Sequence, residues 1–172
     1  MKENLRRSSS GLLAGLALLC AAGCSSTSGR GGGLVFGGKD NLEELHLFGM
    51  PTALSSDRLA TPDGFAVRVF ASSRKQAKGV AIRSGTLEIL MFDGTLGNAD
   101  PRLIAPVRVW SYSDANLVAN LISSSVGIGY EFVLRWGAAR PVTSRISVVA
   151  RLTPPTGPPL YSAPSVISVT AN

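Results

Sequence analysis

The sequence predicts a mainly β domain, two antiparallel sheets packed face to face as a sandwich. Three observations predict it. Apolar residues recur at every second position in several short runs, the period of a half-buried strand. Gly and Pro clusters separate those runs, with 19 Gly and 10 Pro among 172 residues. Only one stretch carries helical spacing, so strands and helices do not alternate as a parallel sheet requires.

Taken in order, the chain opens with Lys2, Arg6 and Arg7. The apolar run Leu12 to Cys24 (LLAGLALLCAAGC) follows, and then Ser25, Ser26, Thr27 and Ser28. A charged region, an apolar region and a small-residue cleavage site in that order make an export signal. The apolar run is about a dozen residues, short of the ~20 that a spanning helix needs. Ala21-Ala22-Gly23-Cys24 resembles the lipobox of bacterial lipoproteins, with Ala21 where that motif usually has Leu. The resemblance implies lipid on the sulfur of Cys24, which becomes the mature N-terminus and the membrane anchor. Ser25 resembles the next residue of lipoproteins sent on to the outer membrane. A plain secretory signal with an incidental Cys is the alternative. The expected organisation is a lipoprotein signal peptide over 1–23, lipidated Cys24 with a Gly/Ser-rich tether over 24–40, and a sandwich over 41–172. The expected place is the cell envelope, at the periplasmic face of the outer membrane or the cell surface.

Composition bounds the rest. Hydrophobic content of 45% and charged content of 16% suit one globular domain. The formal charge is +6, of which Lys2, Arg6 and Arg7 against Glu3 hold +2, leaving +4 beyond residue 23. That mild basicity is compatible with an anionic membrane or glycan, and export argues against nucleic acid as a partner. Of the 2 Cys, Cys20 leaves with the signal and Cys24 takes the lipid. No disulfide, zinc site, thiol nucleophile or other cofactor is expected.

Residues 25–38 read SSTSGRGGGLVFGG, a flexible tether interrupted by Leu34, Val35 and Phe36. Asp40 is expected to cap a short helix from Asn41 to Leu45. Leu45 and Leu47 alternate with Glu44, His46 and Phe48, an edge strand that Gly49 and Pro51 kink before Leu54. Pro62-Asp63-Gly64 is a turn. Phe65, Val67 and Val69 point one way along a strand ending at Ala71, with Ala66, Arg68 and Phe70 the other way. Ser72 to Lys78 is expected to be a surface loop and Val80 to Arg83 a short strand. Thr86 to Phe92 is apolar on both faces except at Glu88, which marks a covered central strand. After a loop over 98–106, Val107 to Tyr112 is a strand with Arg108, Trp110 and Tyr112 on one face. Asp114 to Ile122 is the one good amphipathic helix expected, with Leu117, Val118, Leu121 and Ile122 on one side. Tyr130, Phe132, Leu134 and Trp136 form an inward row against Glu131, Val133 and Arg135. Ile146, Val148, Ala150 and Leu152 form another. Tyr161 to Thr170 is the last strand, with Pro164 placing it at an edge or bulge. The sum is an immunoglobulin-like or prealbumin-like antiparallel β-sandwich of about seven strands with one short helix. Tyr130, Phe132, Leu134 and Trp136 are expected to fill its centre against Val67, Val69, Ile146 and Val148.

The strings LHLFGMPTAL, DGFAVRVFA, GTLEILMFDG, GYEFVLRWG, VVARL and YSAPS, between Leu45 and Ser168, resemble a group of uncharacterised exported lipoproteins of planctomycete and verrucomicrobial bacteria. They are strand and turn patterns, so the resemblance implies a fold and no activity.

Chemistry is sparse. His46 is the only histidine, and it serves no G-x-S-x-G motif, so a solvent-facing or structural role is expected. Glu88 with Glu131, or Asp93 with Asp100, are the carboxylate pairs a glycoside hydrolase would need, and turn or surface acids are the simpler reading. Asp57 and Asp63 lack the alternating ligands of a calcium loop. Gly33 to Asp40 starts like a phosphate-binding loop, but Asp40 stands where Ser or Thr must bind magnesium. Gly127-Ile-Gly129 lacks the third Gly of a dinucleotide loop. Arg68, Arg135, Arg145 and Arg151 face outward and form a cationic stripe if their strands are neighbours. Arg108, Trp110 and Tyr112 are the candidate ligand-binding residues, a platform on which a sugar would stack. The expected function is a non-catalytic structural or interaction module of the envelope, in contact with an envelope protein. A glycan or small-ligand binding module is the alternative.

Overall fold

A computed structural model describes residues 42–55 and 61–169. The expectations for Cys24, for the tether over 24–40 with Leu34, Val35 and Phe36, for Gly33 to Asp40 and for Asp57 lie outside those residues. Among the described residues, no helix is long and apolar enough to cross a membrane.

The elements are β1 (Glu44–Gly49), β2 (Gly64–Ser73), β3 (Gln76–Val80), β4 (Thr86–Asp93), β5 (Arg108–Tyr112), α1 (Asp114–Val118), β6 (Leu121–Ser124), β7 (Gly127–Arg135), β8 (Arg145–Thr153), β9 (Leu160–Tyr161) and β10 (Ser165–Ser168). The first sheet runs β1-β2-β7-β6, with β3 joined to one end of both β2 and β7. The second runs β10-β8-β4-β5, with β9 beside β8. All pairings between strands are antiparallel except the single β3–β7 bridge. The chain crosses between sheets after β3, after β5 and after β7. This is the strand order of an immunoglobulin-like sandwich.

Period-two patterning decides which face of each strand is buried. Leu45 and Leu47 of β1, Phe65, Val67 and Val69 of β2, and Tyr130, Phe132 and Leu134 of β7 face Leu87, Ile89 and Met91 of β4, Ile146, Val148, Ala150 and Leu152 of β8, and Ile167 of β10. Val67 lies beside Phe132 and Val69 beside Tyr130 in the same sheet, so Ile146 and Val148 oppose the aromatic row and Val67 and Val69 flank it. Each such side chain contributes roughly 1.5–3 kcal/mol on burial. The Tyr130 hydroxyl is held inside this core, accepting a 2.8 Å hydrogen bond from the Ile82 N–H, and burial raises its pKa. That bond fixes the crossing from β3 to β4.

Several expectations are corrected. Glu44 and Leu45 belong to β1, so no helix ends at Leu45. The segment from Ser72 to Lys78 is no loop, because β2 runs on to Ser73 and turns tightly into β3. Residues 81–83 are not strand. The helix is a single turn with Ser113 in extended geometry as its cap. Leu121 and Ile122 have left it for β6, pairing with Tyr130 and Gly129. The last strand is two pieces with Pro164 between them. There the Ser162 hydroxyl takes the place of a ladder carbonyl, accepting from the Ala150 N–H at 2.9 Å, while the Ser162 N–H still donates to the Ala150 carbonyl. Short elements of this kind raise the strand number above the expected count. The kink after β1 is present: past Met50 the chain touches both sheets, Thr52 bridging Ser168 of the second and Leu54 bridging Gly64 of the first.

Candidate functional site

The second sheet exposes a face built from rows in register. Leu90 of β4 lies between Val109 of β5 and Val149 of β8. Leu90, Phe92 and Val149 are buried there under Leu96 and Tyr161. This explains why β4 is apolar on both faces: a loop covers the outer one, and α1 lies elsewhere. The loop after β4 is pinned by buried Ser147, whose hydroxyl donates to the Gly94 carbonyl at 3.0 Å and accepts from the Leu96 N–H at 2.9 Å.

The next row is polar and crosses four strands: Ser111, Glu88, Arg151 and Tyr161 are register neighbours. Arg151 donates to Glu88 at 2.6 Å and Ser111 to the same carboxylate at 3.3 Å. The Glu88 hydrogen bond first, and one to Tyr161 second, raise the pKa of Arg151. Beside this row lies an open groove of about 410 Å³ between residues 97–102 and 159–164. Pro101, Pro159, Pro164 and Tyr161 make its apolar walls. Arg102 at its lip is held by Asp100 at 2.7 Å, and that hydrogen bond lowers the Asp100 pKa.

The sheet register places Arg108, Trp110 and Tyr112 on one face of β5, as expected, and that face turns toward the core. Trp110 meets Phe65 edge-on at 5.5 Å, and Tyr112 meets Phe132 at 4.3 Å. Burial raises the Tyr112 pKa. The Arg108 guanidinium lies 5.1 Å from the centre of the Trp110 ring and donates to the Trp136 carbonyl. Both rings pack into the core, and the cation lies against Trp110 on the side away from Tyr112.

The cationic stripe does not form. Arg68 and Arg135 lie on the first sheet, paired with Glu131 and Asp63, while Arg151 lies on the second, paired with Glu88. Glu88 and Glu131 are therefore on different sheets and do not converge. His46 is solvent-facing, with Glu44 and Ser72 near it. Both contacts fall on the same nitrogen, Nε2, at 3.4 and 3.3 Å. A relay needs the carboxylate and the hydroxyl on opposite nitrogens. Among the described residues, no cluster of three or more His, Cys, Asp or Glu side chains is placed to hold a metal ion.

Asp93 closes the loop before β8. The Thr143 hydroxyl donates to it at 2.6 Å, and the N–H groups of Val142 and Thr143 at 3.0 and 3.1 Å. The Thr143 hydroxyl chiefly lowers its pKa below the ordinary 3.8, with burial opposing. A carboxylate depressed in the folded state stabilises above its unfolded value, and that contribution is lost as pH falls through the folded one. Asp93→Asn is expected to cost about 1–2 kcal/mol at pH 7. It is also expected to flatten the loss of stability below about pH 4, as read from urea unfolding at several pH values.

What sequence reasoning missed is the groove and the apolar stretch beside it. Leu103 is 85% exposed, Val107 51% and Val109 41%, with Ile104 also exposed. The signal was present in the unbroken apolar residues of LIAPV at 103–107, of which 103–106 read simply as loop. Comparison of the chain with protein-family models, curated proteins and solved structures finds no match.

Proposed function

We propose that the chain is a membrane-anchored envelope lipoprotein whose sandwich acts by surface contact and not by catalysis. The anchor is the lipid on Cys24, supported by the lipobox-like Ala21 to Cys24 sequence behind a charged and apolar signal. The observation that carries the contact role is the exposed Leu103, Ile104, Val107 and Val109 stretch at the start of β5, tied down by the Leu103 N–H to the Asp100 carbonyl and the Val107 N–H to the Met91 carbonyl. Apolar side chains grouped on a firmly held surface mark an interaction site. The polar side chains that chemistry would use are spent on structure: Glu88, Glu131 and Asp100 pair with arginines, and Asp93 closes a loop.

The test is metabolic labelling of cells expressing the full chain with a tagged fatty acid, followed by detergent phase partition. The native chain is expected to carry label and enter the detergent phase. Cys24→Ser is expected to carry none and to stay in the aqueous phase. A Cys24→Ser form still embedded in membrane, or catalytic turnover by the purified protein, overturns the reading.

A further inference from the structure

We propose that the chain self-associates through β5, whose outer side pairs antiparallel with β5 of a second copy and joins the second sheets of the two copies into one. The four borders of the sandwich are unequal. The borders at β1 and β10 are drawn together: the Gly49 N–H donates to Ser165 Oγ, and the segment after Gly49 bonds to both sides of Ser168. The β9–β10 border is also broken at Pro164. β6 is only four residues long and ends in exposed Ser123 and Ser124.

β5 is different. Among the described residues it pairs only with β4. It has no proline, and its outward side chains, Val109 and Ser111, are uncharged. Its one charge, Arg108, turns inward onto Trp110. Strand edges are ordinarily guarded by lysine, proline or a covering segment.

The occupant follows from complementarity. A two-fold axis at Val109 sets that residue opposite itself and Val107 opposite Ser111, so no like charges meet, although each copy carries +4 beyond residue 23. On the inner side it sets Arg108 opposite Trp110, a favourable pairing. Leu103 and Ile104 precede the strand, and Val118, 63% exposed, follows it. The same axis brings the loop of each copy toward the helix of the other, as an isologous contact requires. The proposal rests on the anchored reading in one respect: copies held on one surface meet at high effective concentration.

The test uses the full chain in cells. With Cys20 removed and Cys24 lipidated, Val109→Cys supplies the free thiol. Facing residues of an antiparallel pair have Cα atoms about 4.5–5.5 Å apart, within disulfide reach. Mild oxidation of membranes is expected to convert most Val109→Cys protein to a disulfide dimer. Val133→Cys, still more exposed and on the other sheet, is expected to stay mostly monomeric. Dimer in Val109→Cys no greater than in Val133→Cys overturns the proposal, as does a cross-linked product of any mass other than twice the chain. Light scattering of the detergent-extracted native chain is expected to give a dimer and Val109→Lys a monomer that still unfolds cooperatively. A dimeric Val109→Lys overturns the proposal too. Failure of the anchored reading shows separately, as protein in the soluble fraction, where the same scattering measurement still reads the association.

Discussion

A charge at Phe132 is expected to abolish cooperative folding, while the same charge at Val133 leaves the domain intact. The two residues are adjacent on β7, and the pleat sends them to opposite faces. Phe132 is 1% exposed and Val133 60%. Phe132 lies between Tyr112 of the facing sheet, at 4.3 Å, and Tyr130 of its own strand, at 6.4 Å. Truncation to Ala is expected to cost about 3–5 kcal/mol. Phe132→Asp adds an unpaired carboxylate to that cavity, a further cost of several kcal/mol, against a total stability of about 5–15 kcal/mol for a domain of this kind. Val133→Asp is expected within about 0.5 kcal/mol of the native chain. Urea unfolding followed by tryptophan fluorescence separates the cases, because Trp110 and Trp136 both pack against Phe65. Similar losses at the two positions would mean that β7 faces the other way.

Gly127→Ala is the second large effect. At Gly127 the turn between β6 and β7 brings the backbone against that of β3. The Gly79 N–H donates to the Val126 carbonyl at 2.8 Å. Gly127 has φ +110°, and a Cβ there would lie 2.4 Å from the Gly79 nitrogen and 2.5 Å from its carbonyl oxygen. Two costs therefore add: a backbone region that side chains rarely adopt, about 1–3 kcal/mol, and forced separation of two backbones that no side-chain rotation relieves. A total of about 3 kcal/mol or more is expected. Gly157 provides the control, since its φ is +100° with nothing within 4 Å of the added atom. Gly157→Ala is expected to show the conformational cost alone, about 1–2 kcal/mol. Melting temperatures of the two variants measured side by side check the difference, and equal shifts would show that the β3–β7 contact is not tight.

These positions also show how far the sequence carries. The inward rows of β2, β7 and β8 are legible because one side of each strand is wet and the other dry, so period two survives in the residue types. The β4 strand is legible as doubly covered, but the cover is not, because it comes from Leu96 in the loop that folds back after β4 and from Tyr161 of the remote β9. The run from Leu117 to Ile122 is misleading for a physical reason. Its apolar spacing suits a helix, yet hydrogen bonding of Leu121–Ser124 to β7 overrides local preference. The arginines show the same limit. Each is visible as outward-facing, but pairing with Asp63, Glu88 or Glu131 depends on which strands become neighbours. Trp110 and Tyr112 are correctly placed on one face of β5, and only the sheet packing shows that this face is the inner one. The exposed stretch at 103–107 escaped notice because period-based reading has nothing to say about a loop.

The interruption at Pro164 has a consequence for how far the second sheet can extend. A sheet grows indefinitely only if both of its lateral borders accept another strand, because then every added molecule offers a fresh one. Here the border opposite β5 is broken by an imino acid without a donor and by a serine whose hydroxyl has replaced a ladder group. Addition at that side would have to mend the ladder first. Lateral extension of the second sheet past that border is therefore disfavoured.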